Sequence, residues 1–456
     1  MKARNCSPPD KSGIGLRACH AVPKWEIIVH RVVITGMGMS TSLGPDLRTC
    51  WQRLLAGDSG IAPLSFWDPS EYHTKVVAEV KHVPRDTGAE SIPAAWCRRG
   101  VRLFLPVARE ALADAQLART GEGLRGLAHA DIGIAVGTSV NYLDMSLMKH
   151  YFQLRKPDGP ALDMARFARE GRQPDNSFYR RLGDMIASVP AKVLQLAGPA
   201  FVMDTACAAS SHAIGEAFRL VRLGKVKAML AGGAAALVSP LPILAFSLLG
   251  ALSRNADPEL ASRPFDRQRD GFVMGEGGGA VVLETLEAAQ ARGARIYAEL
   301  AGYGSSLNAH TLTDPSPDGS AEAQAISIAL RQASLAPEEV DYIAAHGTST
   351  PKNDPIETAA IKRAFGPHAQ RLMVSSNKGQ IGHTISAAGV CNVICAVKAI
   401  AEGQVPPTMH LRSPDTQCDL DYVPNQSRAA TVRAALANAF AFGGQNAVLA
   451  VRAWAG

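Results

Sequence analysis

The chain has 456 residues, 47% of them hydrophobic and 19% charged, enough apolar material for a sizeable core in one large α/β unit or about two or three average domains. Its 47 lysines and arginines exceed its 41 acidic residues, leaving a formal charge of +6 spread along the sequence. With no Lys/Arg block, zinc-finger spacing or interleaving of aromatic and basic residues, this pattern excludes a nucleic-acid binder and suits an acidic protein partner.

In chain order, residues 1–28 lack periodicity. They are basic, contain Asp10 and Glu26 and have no apolar core, so they match neither a signal peptide nor a transit peptide and are expected to form a poorly ordered extension. Ordered sequence starts at Arg31-Val32-Val33-Ile34-Thr35-Gly36-Met37-Gly38, which reads as a strand feeding a glycine turn and lacks the rest of a dinucleotide fingerprint. An apolar run at 132–136 is followed by a long charged stretch, 149–181, that reads equally as a solvated loop or as a contact surface. Next, Phe201-Val202-Met203 gives way through Asp204-Thr205-Ala206-Cys207 to a helical pattern over 213–223. A thiol at a strand-to-helix turn meets the positive end of the helix, which favours the thiolate, although a lone cysteine is more often inert core.

Residues 228–252 carry no charge and are long enough to suggest a membrane span. Gly232, Gly233, Ser239, Pro240, Pro242 and Gly250 break them into a buried strand, a turn and a short buried helix instead, so no span is expected. Apolar runs recur at 280–283, 342–345, 372–374 and 447–451, separated by helical patterns. Such alternation predicts an α/β protein whose sheets are covered on both faces. The eight cysteines (6, 19, 50, 97, 207, 391, 395 and 418) contain no CxxC pair, which points to reduced thiols in a cytoplasm rather than disulfides or zinc.

A repeat organises the chain. Asp131-Ile132-Gly133-Ile134-Ala135-Val136-Gly137-Thr138-Ser139 echoes Asp341-Tyr342-Ile343-Ala344-Ala345-His346-Gly347-Thr348-Ser349, and each is followed by a helix start rich in small residues that carries a reactive group, Cys207 or His383. Two related α/β halves, 29–286 and 287–456, are therefore expected to converge on their reactive groups. His346 ends a strand ahead of Gly-Thr-Ser-Thr-Pro, and His383 closes Lys378-Gly379-Gln380-Ile381-Gly382-His383 ahead of a helical pattern over 387–401. Each histidine alone would be read as structural. With Cys207 they make a Cys-His-His constellation suited to carbon–carbon bond formation on thioesters.

At this point the chain resembles the β-ketoacyl-acyl-carrier-protein synthases of the thiolase superfamily, most closely the type II elongating synthases, from about residue 31 to residue 452. The motifs are the cysteine elbow 204–212, Arg263-Pro264-Phe265-Asp266 with residues 270–277, the segment 346–351 with Asp354 and Glu357, residues 378–383, and Phe442-Gly443-Gly444-Gln445-Asn446. The resemblance implies a thiolase-like α/β fold with two halves layered α-β-α-β-α. It implies a decarboxylative Claisen condensation of an acyl thioester with malonyl-acyl-carrier protein, Cys207 being the nucleophile and His346 and His383 the N–H donors to the enolate. Backbone N–H groups of Cys207 and Phe442 would hold the second oxyanion, and Lys378 and Glu357 would orient and polarise the network. Thr313, Thr348 and Thr350 would contact the phosphopantetheine arm, and Phe442 would gate the acyl tunnel on a hinge of Gly443 and Gly444. No tightly bound cofactor and no metal are implied. The expected assembly is a cytoplasmic homodimer serving an acyl carrier protein in fatty acid elongation; the alternative is a type II polyketide or polyene ketosynthase paired with a chain-length-factor-like subunit.

Three positions depart from the family pattern: Ala441 precedes the gate where glycine is common, Ser386 replaces a usual glycine, and Pro106 falls in a helix expected to face the acyl pocket. A Cβ at 441 restricts gate motion, and Ser386 puts local helix packing in doubt. A thiolase would need a second cysteine near the C-terminus, where the last one here is Cys418; a Cys-His-Asn enzyme is disfavoured by residues 378–383, and a non-catalytic chain-length factor would lack Cys207.

Overall fold

The computed structural model describes residues 29–83, 97–117, 119, 120, 123, 124, 126–139, 152–159, 161–170, 183–311 and 314–456. The expected N-terminal extension 1–28, Thr313 and part of the 149–181 stretch lie outside them. The described part of that stretch is a bridge between Arg155 and Leu162 and a short helix, Met164–Glu170, with Phe152, Leu162 and Met164 exposed.

Strand β1 (Val32–Thr41) is buried along its whole length. Gly36 and Gly38 lie inside this strand rather than in a turn after it, and the reason is close approach: a Cβ on either would stand 2.2 Å from a carbonyl oxygen, of Ala111 or Val107, of the helix packed above. The other strands of the main sheet are β2 (Ile132–Gly137), β3 (Ala200–Met203), β4 (Ala228–Ala235), β5 (Gly277–Thr285), β6 (Ala298–Leu307), β7 (Tyr342–Ala344), β8 (Met373–Ser375), β9 (Ala434–Phe440) and β10 (Gln445–Ala453). Their order is β8-β7-β9-β10-β6-β1-β5-β4-β2-β3. Read outward from the centre, β1-β5-β4-β2-β3 and β6-β10-β9-β7-β8 are the same arrangement twice, with matching parallel and antiparallel pairings. The two half-sheets are joined at the centre, where Val32, Val33 and Ile34 of β1 pair antiparallel with Leu300, Glu299 and Ala298 of β6.

The principal helices are α1 (Arg99–Asp114), α2 (Ala209–Arg222), α3 (Pro240–Leu248), α4 (Ser320–Ala333), α5 (Asn353–Phe365) and α6 (Ala388–Glu402). Side-chain alternation along the strands sorts them into layers. Met229, Ala231, Val281 and Leu283 of one half and Ala435, Ala437, Leu449 and Val451 of the other enclose α2 and α6, which pack on each other. The opposite faces are covered by α1, through Leu230 and Val282, and by α4 and α5, through Leu436 and Val448. This is the expected α-β-α-β-α layering. Among the described residues one helical stretch, Ile385–Glu402, is long and apolar enough to cross a membrane, and it lies in this central layer. The 228–252 segment, which sequence singled out, is β4, a turn and α3. However, α3 is only half buried: Pro242, Ile243 and Phe246 are buried, Ile243 and Phe246 in a cluster with Phe272 and Met274, while Leu244 and Leu248 are exposed.

Both central helices start from a single 3₁₀ turn, Ala206–Ala208 before α2 and Ile385–Ala387 before α6, each opened by a non-glycine residue at positive φ, Ala206 at +47° and Ile385 at +39°. By this geometry the counterpart of Cys207 is Ser386, not His383 as the repeat suggested. The Ser386 hydroxyl donates to the carbonyl of Ala234 at 2.8 Å, so the serine is satisfied and its helix packs undisturbed. Helix α1 runs unbroken through Pro106, held by its packing on β1 and β5.

Candidate active site

The turn after β3 delivers the Cys207 thiol inward, 2% exposed, with Sγ 3.0 Å from Nε2 of His383. Burial pushes the thiol up to about 12, against the opposing pull of the Lys378 charge and of the backbone N–H groups of Phe442 and Cys207 itself. The expected resting thiolate is therefore corrected: the helix end contributes partial charge, and desolvation outweighs it.

His383 is fixed by its own backbone, its N–H donating to Val273 at 2.7 Å and its carbonyl accepting from Gly275 at 3.0 Å. Its ring stands nearly perpendicular to those of Phe272 (centroids 5.0 Å apart, 83°) and His346 (5.3 Å, 84°). His346 follows β7 and is clasped at both peptide groups. Its N–H donates to Glu357 Oε1 at 2.8 Å, the next N–H donates to Oε2 at 2.7 Å, and its carbonyl accepts from Lys378 Nζ. Both Glu357 and Lys378 are buried, so neither belongs to a surface ion pair, and they hold the histidine backbone rather than its ring.

Burial first, and then the Lys378 charge, hold both imidazoles well below the usual histidine range. They are neutral at pH 7, and among the described residues Nδ1 of each has no hydrogen-bond partner. Burial likewise lowers Lys378, opposed by the Glu357 charge, and raises Glu357, opposed by its N–H donors. Ligand atoms of Cys207, His346 and His383 all lie within 4.8 Å of one another, which brings the sequence triad together; the same donor set could also fill three positions around a soft divalent ion.

A cavity of about 250 Å³ leads from these three residues past Thr348 and Thr350 to Asp314 and Lys352. The two threonine hydroxyls are 2.9 Å apart. Phe442 packs near Phe246 (centroids 6.1 Å apart), which meets Phe272 edge-on, so the sulfur has an apolar wall on that side. Gly443 and Gly444 both have positive φ, +82° and +74°, but only Gly444 lines the cavity, where a Cβ would stand 2.3 Å from the Asn308 carbonyl. Ala441 is extended at φ −127°, a conformation its Cβ tolerates.

Two residues were missed by sequence reasoning. Asn438 in β9 donates to Glu357 at 3.0 Å, and Asn392 in α6 donates to the carbonyls of Ala345 and Asn438, each at 2.9 Å. The readable signal was a lone asparagine within an otherwise apolar run, since buried polar groups are kept where they have partners.

Residues 29–289 match the β-ketoacyl synthase N-terminal domain, and residues 297–412 match the C-terminal domain of the same family. The chain belongs to the β-ketoacyl synthase family. This ketosynthase, an acyltransferase by class, is 42% identical to the "3-oxoacyl-[acyl-carrier-protein] synthase 2" of Synechocystis sp. over 92% of this chain and 98% of that one. Among solved structures it resembles one described as the ishigamide ketosynthase/chain length factor (TM-score 0.82, 33% identical, 93% and 100% covered). It also resembles a chain of the complex between a type II PKS acyl-carrier protein and its ketosynthase bound to the hexaketide (TM-score 0.81, 31% identical, 93% and 100% covered). The ketosynthase fold expected from the motifs is thus the fold of the chain.

Proposed function

We propose that this ketosynthase condenses an acyl thioester with malonyl-acyl-carrier protein, releasing CO₂ and giving a 3-ketoacyl-acyl-carrier protein in fatty acid chain elongation. The observation that carries the reading is the 3.0 Å approach of His383 to the Cys207 sulfur, with the His346 ring perpendicular beside it.

In the first half-reaction Cys207 Sγ attacks the thioester carbonyl, a carbon–sulfur bond forms, and the arm leaves as a thiol that takes the cysteine proton by way of His383. In the second, the malonyl carbon–carbon bond breaks and its electron pair becomes an enolate, whose oxygen receives N–H bonds from His346 and His383. Each neutral imidazole has one N–H to give there, and His383, which accepts the cysteine proton in the first half-reaction, presents its N–H tautomer in the second. The enolate carbon then attacks the acyl-cysteine carbonyl, whose oxygen is held by the N–H groups of Cys207 and Phe442, and the Cys207 thiolate that leaves is reprotonated from water. Lys378 and Glu357 fix the position of His346. Thr348 and Thr350 offer hydroxyls to a phosphopantetheine arm, with Thr313 assigned there by sequence, and Phe442 with Gly443 and Gly444 forms the gate. The arm arrives on an acyl carrier protein as part of the substrate, and no tightly bound cofactor takes part.

The halves 29–286 and 287–456 are read as the two domains, and the working form as a cytoplasmic homodimer. A second reading, a type II polyketide or polyene ketosynthase paired with a chain-length-factor-like subunit, is favoured by the two solved structures named above, while the higher identity to the Synechocystis synthase favours elongation.

Intact-protein mass spectrometry tests both. Wild type and Cys207→Ala are incubated with a panel of acyl-carrier proteins, and malonyl-carrier protein is then added. Acylation of wild type only, followed by 3-ketoacyl product and CO₂, is the expected result; a folded wild type that stays unmodified by every donor would overturn the elongation reading.

A further inference from the structure

The cavity wall holds two acidic groups that the condensation does not use, Asp314, which is paired with Lys352, and Glu322. Glu322 lies in the first turn of α4, 2% exposed, and lines the same cavity as Cys207. Among the described residues its Oε2 has no hydrogen-bond partner. The carboxamides that share this wall spend donors elsewhere: Asn308 Nδ2 on the Asp314 carbonyl at 3.1 Å, Asn353 Nδ2 on Asp354 Oδ1 at 3.1 Å, and Asn446 Nδ2 on Ser306 Oγ at 3.3 Å. Lys352, the cation on the wall, donates to Asp314 Oδ2 at 2.8 Å. Burial raises the Glu322 carboxyl, opposed by its own backbone N–H, and the charges of Glu357 and Asp318 push it further up.

A buried acceptor without a donor is costly, and such groups in native proteins have partners that the isolated chain lacks. The cavity joins the Cys207 sulfur to the exterior, so the group that completes this acceptor comes with whatever threads the cavity. A carrier arm bears amide N–H and hydroxyl donors along its length. A plain hydrocarbon thioester bears none.

We infer that Glu322 accepts a hydrogen bond from an N–H or O–H of the carrier arm, which makes it a specificity determinant for amide-bearing thioesters; this rests on the ketosynthase reading. The Thr348 and Thr350 hydroxyls can both donate and accept, whereas the unpartnered Oε2 on the same wall offers an acceptor, so it favours a donor at its depth in the cavity.

The test compares two acyl donors of one chain length, a pantetheine thioester and an ethanethiol thioester, with the full-length protein and the rate of Cys207 acylation read by intact mass. Glu322→Ala should slow acylation by the pantetheine donor about tenfold and leave the ethanethiol donor within about twofold, the loss expected for one hydrogen bond to a buried group. Glu322→Gln keeps a carbonyl acceptor and should restore the pantetheine rate to within about threefold of wild type. If Glu322→Ala does not fold, Glu322→Met, which keeps the length and removes both oxygens, takes its place. Equal slowing with both donors, or no slowing with either, would overturn the inference while leaving the ketosynthase reading standing. A wild type that accepts no acyl group from either donor would instead overturn that reading, and the inference with it.

Discussion

Nε2 of His383 lies 3.0 Å from Sγ of Cys207, and both groups are electrically neutral at rest, the imidazole held far below its usual range and the thiol pushed up to about 12. The pair is a hydrogen-bonded thiol and imidazole, not a thiolate–imidazolium ion pair. Alkylation of Cys207 by iodoacetamide should accordingly rise about tenfold per pH unit between pH 6 and 9, because the thiolate fraction does. Mass spectrometry of quenched samples reads this directly. A flat rate across that range would mean a preformed thiolate. Lys378→Met removes the charge that pulls the thiol down and should slow alkylation further.

The two histidines should separate by half-reaction. His346 takes no part in the contact with the sulfur, so His346→Ala should leave acyl-enzyme formation within about tenfold while lowering CO₂ release by about 10²–10³-fold, the loss typical of one oxyanion donor. His383→Ala should slow both steps. Stopped acylation assays alongside CO₂ release give the comparison; equal effects of both variants on both steps would contradict the assignment.

Glu357 accepts from the N–H groups of His346 and Gly347 and from Asn438. Glu357→Ala strands these buried donors and should cost at least about 3 kcal/mol in urea unfolding, with activity lost in the fraction that folds. Glu357→Gln keeps one acceptor and should cost less than half as much.

The glycine pair should behave asymmetrically. At Gly444 a Cβ would meet the Asn308 carbonyl at 2.3 Å and φ is +74°, so Gly444→Ala must move backbone; at Gly443 φ is +82° but a Cβ would meet no atom of the described residues within 4 Å. Gly443→Ala should cost about 1 kcal/mol of conformational strain and Gly444→Ala several times more, as read by thermal melting. Catalytic turnover should fall with Gly444→Ala in preference.

Acid should destabilise the fold through its buried histidines. His212, bonded to Thr205 at 2.8 Å and Ser305 at 3.2 Å, is lowered by burial from 6.5 to about 4, and His346 and His383 shift the same way. A folded-state value below the unfolded one means that the unfolded chain binds more protons, so stability is full above pH 6.5 and is lost as pH falls toward 4. Glu110, raised by burial from 4.5 to about 7, has the opposite sign and blunts the slope over pH 4.5–7. His212→Gln should flatten the dependence by up to one proton, about 2 kcal/mol at pH 5, measured as urea unfolding against pH.

Much of the site was legible because its residues fall in short, contiguous motifs. Cys207, His346, Lys378 and His383 sit where the chain passes from strand to helix, with Glu357 one turn inside the helix after His346, and turn chemistry leaves a local signature. Strand β9, in contrast, reads Ala-Ala-Leu-Ala-Asn-Ala-Phe, which has no β-branched residue and gave no strand signal. It is a strand because β7 and β10 flank it. Glu322 left no trace either, since one glutamate in a helix's first turn reads as a solvated cap.

The sequence by itself determined the family, the two-fold repeat of strands and which cysteine and histidines to look for together, because each depends on residue type and spacing along the chain. Tertiary structure alone decided that Cys207 rests as a thiol, that Ser386 is its symmetry counterpart, that Lys378 and Glu357 grip the His346 backbone, and that Glu322 faces the cavity. Those outcomes depend on how much water is removed from each group and on which distant groups replace it. Burial is a property of the packed layers, and no local stretch of sequence contains it.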